Sequence, residues 1–184
     1  TASKLAAVRN VLAKNRAQAH LISSLDDLAW LLNIRGRDVP CNPVVLGFVY
    51  VTADEAILYI EPVKLDEATR ASLQVSGVQV KPYEEVYAQV DHLTLDSILI
   101  DPKRTCFAIY DAIPAAVNII EKINPSTSLK AVKNEVEIAH TRETMINDGV
   151  ALTKFFKWLE TAVPEGDQSE ISIAARLQEF REEQ

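Results

Sequence analysis

The chain has 184 residues, of which 48% are apolar and 24% are charged, and its formal net charge is −7. This is the composition of an ordinary globular protein with enough apolar surface to form a core, so it argues against intrinsic disorder. The negative charge and the scattered basic residues argue against a nucleic-acid-binding surface and against binding to an anionic membrane. No stretch approaches the roughly 18 apolar residues that a membrane-spanning helix needs.

The first third of the chain predicts two helices and three strands. Residues 2–18 favour a helix with one apolar face, and residues 19–22 are a short strand candidate. Ser24 is the predicted N-cap of a second helix, with Asp26 and Asp27 as charges of its cap region. A polar loop over residues 33–43 leads into residues 44–51, which are apolar on both faces, as in a central strand. A turn at residues 53–55 then predicts antiparallel pairing with residues 56–60.

The middle of the chain predicts further alternation of helices and strands. Asp66 is the predicted N-cap of a helix that ends before Gly77. Strands are predicted at residues 78–81 and 97–100, and a short extended piece at 127–129. Helices are predicted at residues 83–90, 105–113 and 115–123. This alternation predicts the α/β class, with a mixed sheet covered by helices.

From residue 134 onward the pattern is helical only. Asn134 and Glu137 have the spacing of a capping box at the start of a helix of about seven turns. Gly149 inside this helix costs about 1 kcal/mol relative to Ala, which predicts close packing against another element. The pattern breaks at residues 164–166 and restarts over residues 169–181.

Several features predict that the chain is a piece of a longer protein. The first residue is Thr1, the only methionine is Met145, and the final residues stop inside a helical pattern without a stop signal. The two tail helices carry a set of large apolar side chains but have no sheet of their own to cover; these side chains are Phe155, Phe156, Leu159, Leu177 and Phe180. Either they dock on the first domain, or the surface that covers them lies beyond residue 184.

The sequence predicts no complete catalytic site. The sequence has no GxGxxG, P-loop, GxSxG or HExxH motif, and His20, His92 and His140 fall in different elements. Glu137, His140 and Glu143 are three residues apart on one helix, a spacing that can contribute to a carboxylate-bridged dimetal centre. Such a centre needs a second similar motif and two further glutamates, which are absent. A solvated helix face is therefore the favoured interpretation.

Two groups of charged residues are candidates for other roles. Asp26 and Asp27 point about 100° apart on a helix, so they cannot act as a paired acid and base. Arg35, Arg37 and Asp38 lie in a loop beside the predicted central strand, where binding sites are often built. An ion-paired loop that positions the chain is the favoured interpretation there.

The remaining candidates have structural interpretations. Trp30 and Trp158 fall on predicted helices with apolar neighbours, so packing is expected for both. Cys41 and Cys106 lie outside any CxxC pattern. Two buried thiols in a reducing, cytoplasmic compartment are favoured over one disulfide.

Two segments carry a resemblance to a known family. Residues 25–44 read LDDLAWLLNIRGRDVPCNPV and contain the pattern AWLxNxRGxDVxxNPV. Residues 129–142 read LKAVKNEVEIAHTR, with the pattern KxxKxxxEIxxxR, and FFKWL and EISIAARLQEFR follow at 155–159 and 170–181. These segments resemble Xaa-Pro aminopeptidases (aminopeptidase P) of the three-domain form, in the same order over essentially the whole chain.

The resemblance implies a function for a longer parent protein. Residues 1–130 resemble the second creatinase-like α/β domain, and residues 131–184 resemble the first helices of the pita-bread catalytic domain. The family removes an N-terminal residue that precedes proline, and it uses two divalent ions, usually manganese. Its ligands, two Asp, one His and two Glu, follow the position matched by Arg181. No catalytic or metal-binding residue is therefore expected on this chain, and the fragment alone is expected to be inactive.

Two alternatives remain open at this point. Creatinase-like folds also occur without catalysis, for example in histone-chaperone subunits that bind proteins, so a protein-binding module is one alternative. A prolidase or creatinase relative is the other, although those proteins lack the RGxDV loop in this form. For the aminopeptidase, the resemblance implies proline-containing peptides as substrates and a homodimeric parent.

Overall fold

The computed structural model describes all 184 residues, which form two compact units, Thr1–Val132 and Lys133–Gln184. The predicted α/β class with helices after it is confirmed. The helices are α1 (Ala2–Lys14), α2 (Leu25–Leu32), α3 (Glu67–Val75), α4 (Glu85–Asp91), α5 (Phe107–Asp111), α6 (Pro125–Ala131), α7 (Glu135–Glu165) and α8 (Glu170–Glu182). The strands are β1 (Ala19–Ile22), β2 (Phe48–Thr52), β3 (Ala56–Tyr59), β4 (Gln79–Lys81), β5 (Ser97–Ile100) and β6 (Asn118–Glu121).

The first unit is built on one six-stranded mixed sheet with the order β4-β3-β2-β1-β5-β6. The predicted antiparallel pairing of β2 with β3 is confirmed, and β2 also pairs antiparallel with β1. The pairs β1–β5, β5–β6 and β3–β4 are parallel. Because parallel strands end at the same edge, the segments after β1, β5 and β6 meet at one edge of the sheet.

Helices cover both faces of this sheet. Side chains of α1, α2 and α3 pack with Ile22, Val49 and Leu58 on one face, and Leu129 of α6 joins them. Side chains of α4 and α5 pack on the other face. Neighbouring residues of a strand point to opposite faces, so the central strands are mostly apolar on both faces, as the run at 44–51 predicted, with His20 of β1 as a buried polar exception.

Three predicted elements differ in the structure. Residues 115–123 were expected to be helical, but Asn118–Glu121 is the edge strand β6. Residues 127–129 were expected to be extended, but they lie inside α6, which Pro125 begins at a position that tolerates proline. The strand predicted at 44–51 begins only at Phe48. Pairing with β5 selects the strand β6, and the contacts of Thr127 and Lys130 with Asp27 stabilise α6, so tertiary contacts override local propensity in both segments.

The second unit is an antiparallel pair of helices. Ala151 and Phe155 of α7 pack with Phe180 of α8, together with half-buried side chains that include Trp158. The capping box of Asn134 and Glu137 is confirmed at the start of α7. The helix continues through Pro164 and ends at Gly166, whose left-handed φ of 85° closes it.

The expectation that Gly149 marks close packing is wrong. A Cβ at this position would meet no atom within 4 Å. None of the helices, α7 included, combines the length and the apolar character that crossing a bilayer requires.

Candidate functional site

The loop between α2 and β2 is built by backbone contacts at its entry. Asn33 ends α2 with a left-handed φ of 56°, a conformation that Asn tolerates better than most residues. The Ile34 amide then donates to the Ala29 carbonyl at 3.1 Å. Gly36 follows, and a Cβ there would lie 2.2 Å from Cγ1 of Val45. The loop therefore folds back on itself at a point where only glycine fits.

Arg35 and Asp38 hold this loop in place. Nη1 of Arg35 donates to the carbonyls of Ala29 and Ile34, at 3.0 and 2.9 Å. Oδ2 of Asp38 accepts from the Leu46 amide and from Nζ of Lys64, both at 2.7 Å. The hydrogen bond from Lys64 and that from the Leu46 amide lower the pKa of Asp38. These contacts agree with the favoured interpretation of an ion-paired loop that positions the chain.

Arg37 differs from its two neighbours because its side chain makes no hydrogen bond or ion pair within the chain. It is exposed, and it borders an open cavity of about 590 Å³ whose lining residues come from the loop itself, between Arg35 and Pro43. Cys41, with a left-handed φ of 59°, is part of this lining. A free guanidinium on an ordered loop can bind a carboxylate or phosphate through two parallel hydrogen bonds. The loop can therefore bind a carboxylate or phosphate through Arg37, but it contains no acid–base pair for catalysis.

A second polar group lies at the sheet edge where β1, β5 and β6 end. Asp27 of α2 is fully buried, and its Oδ2 accepts from Oγ of Ser24 at 2.6 Å and from Oγ1 of Thr127 at 2.6 Å. Nδ2 of Asn124 donates to the same oxygen at 3.2 Å. Nζ of Lys130 lies 3.0 Å from Oδ1. Two N-cap residues, Ser24 before α2 and Asn124 before α6, and two residues of α6 thus provide four donors to one carboxylate.

The environment of Asp27 keeps it ionised. Burial acts to raise its pKa, but the hydrogen bonds from Ser24, Thr127, Lys130 and Asn124 outweigh burial, so the pKa is lowered. Asp27 lies in the first turn of α2, as expected of a cap-region charge, and its side chain in addition serves as a tertiary anchor for α6. Ser24 precedes α2 as predicted, but its hydroxyl donates to Asp27 instead of capping the helix backbone.

Asp26 also lies in the first turn of α2, as the prediction of cap-region charges requires, but its side chain is on the surface. It is exposed, it pairs with Lys130, and its Oδ1 lies 3.5 Å from Nη1 of Arg104. The two neighbouring carboxylates therefore point to different environments, in agreement with the prediction that they cannot act as an acid–base pair.

His20 is a buried polar residue of β1 to which the sequence pattern assigned no role. The ring is fully buried, and Nδ1 lies 2.9 Å from the Leu99 carbonyl. Burial lowers the pKa of His20 to about 4, so the ring is neutral at physiological pH. The sequence does contain a signal for this role, because His20 is the one polar residue of the strand β1 and a buried polar side chain needs a hydrogen-bond partner.

The remaining candidates are not brought together. His140 and Glu143 are exposed, and Glu137 is half-buried and part of the capping box. No group of three His, Cys, Asp or Glu side chains in the 184 residues converges in a way that could hold a metal ion. His92 is exposed at the end of α4, far in sequence from the buried network.

The aromatic and cysteine candidates have two different outcomes. Trp30 packs against the core of the first unit, and Trp158 packs against that of the second, as predicted. Cys41 and Cys106 are both free and exposed, so the expectation of two buried thiols is wrong. Both lie in loops that precede or follow sheet strands, where exposure is usual.

Comparisons with known proteins agree with this architecture. Residues 1–137 match the family model described as Creatinase/Prolidase N-terminal domain. The chain is 36% identical, over 98% of its length, to Xaa-Pro aminopeptidase 1 of Dictyostelium discoideum, and 34% identical, over 100%, to a probable Xaa-Pro aminopeptidase P of Metarhizium acridum. It spans 29% and 32% of those relatives.

A solved structure is similar over the whole chain. The crystal structure of X-prolyl aminopeptidase from Caenorhabditis elegans, described as a cytosolic enzyme with a di-nuclear active site, superposes with a TM-score of 0.89 at 30% identity. The match covers 100% of this chain and 31% of that one. The resemblance that the RGxDV loop and the α7 segment indicated is thus confirmed, and the chain belongs to the creatinase/prolidase N-terminal domain family.

Proposed function

We propose that this chain is part of a metal-dependent Xaa-Pro aminopeptidase, which removes the N-terminal residue from peptides that carry proline in second position. Residues 1–130 would be its middle creatinase-like domain, and residues 131–184 the first helices of its pita-bread catalytic domain. The observation that carries the proposal is the whole-chain similarity to the C. elegans enzyme, with a TM-score of 0.89 at 30% identity.

Within such an enzyme this segment supports the catalytic domain and supplies no metal ligand. The residues of this chain do not fit a dinuclear metal centre, because no three potential ligands converge. The two divalent ions, which we propose to be manganese, would be held by residues of the longer protein. The 184-residue chain alone is accordingly proposed to be inactive and to bind no metal ion stoichiometrically.

The residue of this chain best suited to contact a ligand is Arg37. Its neighbours Arg35 and Asp38 are used within the loop, whereas its guanidinium makes no contact in the chain. A rigid loop holds a binding group with less loss of entropy than a flexible one. Arg37→Ala in the longer protein should therefore raise KM for an Xaa-Pro peptide without lowering its stability. Arg104→Ala, an exposed arginine outside the loop, is the matched control.

The proposal is tested with the longer protein and with the 184-residue chain in parallel. The longer protein is assayed with an Xaa-Pro peptide in the presence of manganese, and the fragment is titrated with manganese by calorimetry. Cleavage by the longer protein and no binding by the fragment are expected. A longer protein that leaves the peptide intact, whether or not it binds manganese, would favour the non-catalytic protein-binding module.

The compartment and assembly of the parent are also proposals. Two exposed and unpaired cysteines are typical of a reducing compartment, which supports a cytoplasmic location. A homodimeric parent is proposed from the family resemblance, and sedimentation of the longer protein tests it.

A further inference from the structure

A surface cavity of about 720 Å³ lies at the edge of the sheet where β1 and β5 begin and β2 ends. Its walls are the last turns of α1, the segment that leads into β1, the turn between β2 and β3, and Leu95, which precedes β5. It shares no lining residue with the cavity beside Arg37. The proposed peptidase function assigns no role to this second cavity.

Two arginines at the end of α1 line the cavity. Nε of Arg9 donates to the Thr52 carbonyl at 2.9 Å, which fixes the half-buried guanidinium against the end of β2 and leaves its two terminal nitrogens without a partner in the chain. Arg16 is exposed, and its side chain makes no hydrogen bond or ion pair within the chain. A guanidinium can donate two parallel hydrogen bonds to a carboxylate or a phosphate. The cavity therefore presents donors for an anion, and one set of them is already positioned.

The rest of the lining distinguishes between these two kinds of anion. Asp54 is the only acidic residue of the lining, so the two arginines and this aspartate give the cavity a formal charge of +1. That charge complements a carboxylate better than a phosphate group, which carries nearly two negative charges. Leu12, Ala17 and Leu95 add apolar surface to the walls. A carboxylate attached to an apolar group therefore matches both the charge and the walls of the cavity.

We propose that this cavity binds the C-terminal residue of a peptide when that residue has an apolar side chain. Arg9 and Arg16 bind the terminal carboxylate through charge-assisted hydrogen bonds, and the apolar side chain lies against Leu12 and Leu95. A peptide end carries one negative charge, which complements the charge of the lining, whereas a free amino acid is a zwitterion without net charge. Capture of a C-terminal carboxylate is a recurring mode of peptide recognition.

N-acetyl-leucine tests the site, because it has the carboxylate, the amide and the apolar side chain of a peptide end. Its titration into the nitrogen-15-labelled 184-residue chain should shift the backbone amide signals of residues 9–18 and 52–54, with a roughly millimolar dissociation constant, as for a ligand of about twelve non-hydrogen atoms. N-acetyl-leucinamide, which lacks the charge, and acetate, which lacks the side chain, should each bind roughly tenfold more weakly. Equal binding of either compound would overturn the proposal, and so would tighter binding of free leucine or shifts that lie elsewhere in the chain.

A pair of arginine variants tests the proposed contact with the carboxylate. Arg16→Asn removes the guanidinium and keeps a residue that tolerates the left-handed φ of 56° at this position. It should weaken the binding of N-acetyl-leucine roughly tenfold, because hydrogen bonds to a charged group are lost. Arg142→Gln removes the same charge from an exposed arginine of α7 and should leave the dissociation constant unchanged. Equal dissociation constants for the two variants would contradict the contact. If the Arg16 variant fails to fold, the series of compounds on the unaltered chain still decides.

Discussion

Replacement of Asp27 by Asn should destabilise the α/β unit far more than the same change at Asp26. Asp27 accepts three hydrogen bonds at one oxygen and an ion pair at the other. An amide cannot accept at its nitrogen, so either the three donors or Lys130 would face an NH₂ group. The loss of a buried charge partner costs about 3–5 kcal/mol. Because Lys130 also pairs with Asp26, we expect the lower end, about 3 kcal/mol.

Urea unfolding can measure this difference in a chain with one tryptophan. Trp158→Phe leaves Trp30, which lies on the same helix as Asp27, to report on the α/β unit. With a slope of about 2 kcal/mol per molar urea, the Asp27→Asn midpoint should fall by about 1.5 M. Asp26→Asn should cost less than about 1 kcal/mol, because its ion pairs are exposed. Equal midpoints for the two variants would refute the assignment of Asp27 as the anchor of α6.

Three further predictions concern the same unit and α7. Stability should fall as pH decreases from about 6.5 to about 4. The pKa of His20 is lowered to about 4 in the folded state, so only the unfolded chain takes up the proton in this window. Urea midpoints across this pH range measure the fall in stability. Gly36→Ala should destabilise the chain, since its Cβ would lie 2.2 Å from a valine methyl. Gly149→Ala should stabilise α7 by about 1 kcal/mol, because its Cβ would meet no atom within 4 Å. Thermal unfolding of the two variants compares these effects. Cys41 and Cys106 should both react with a thiol reagent in the folded chain, giving two modified thiols by mass spectrometry.

Each of these has a result that would contradict it. For the pH dependence, His20→Gln should flatten the stability curve between pH 6.5 and 4, and an unchanged slope would assign the effect to other groups. For the glycines, a destabilised Gly149 variant would mean that α7 is packed more closely at that point than the structure shows. For the cysteines, modification of only one thiol without denaturant would contradict the exposure of the other.

Local sequence patterns predicted many of the elements correctly. The strand at 19–22, the antiparallel β2–β3 pair and the capping box of α7 each depend on residues that are close in sequence. The loop that carries Arg35, Arg37 and Asp38 was also placed correctly, because its Gly and Pro residues interrupt any regular element. Such signals act within a turn or a short strand, so tertiary context rarely reverses them.

Residues 115–131 show where local patterns failed. A four-residue run with two isoleucines suits a helix or a strand equally, and the free edge of β5 selected the strand β6. The polar residues that follow β6 form α6, which is stabilised because Asn124, Thr127 and Lys130 contact the Asp27 carboxylate.

The sequence by itself determined the α/β class, the two helices at the end of the chain and the family, since periodicity, caps and the RGxDV motif are properties of neighbouring residues. Only the tertiary structure decided that Asp27 is a buried anchor while Asp26 is a surface charge. Asn124 and Thr127, which donate hydrogen bonds to Asp27, lie 97 and 100 residues away along the chain. The side-chain environment of such a residue depends on which strands become neighbours, and a carboxylate can be buried only where distant donors converge on it.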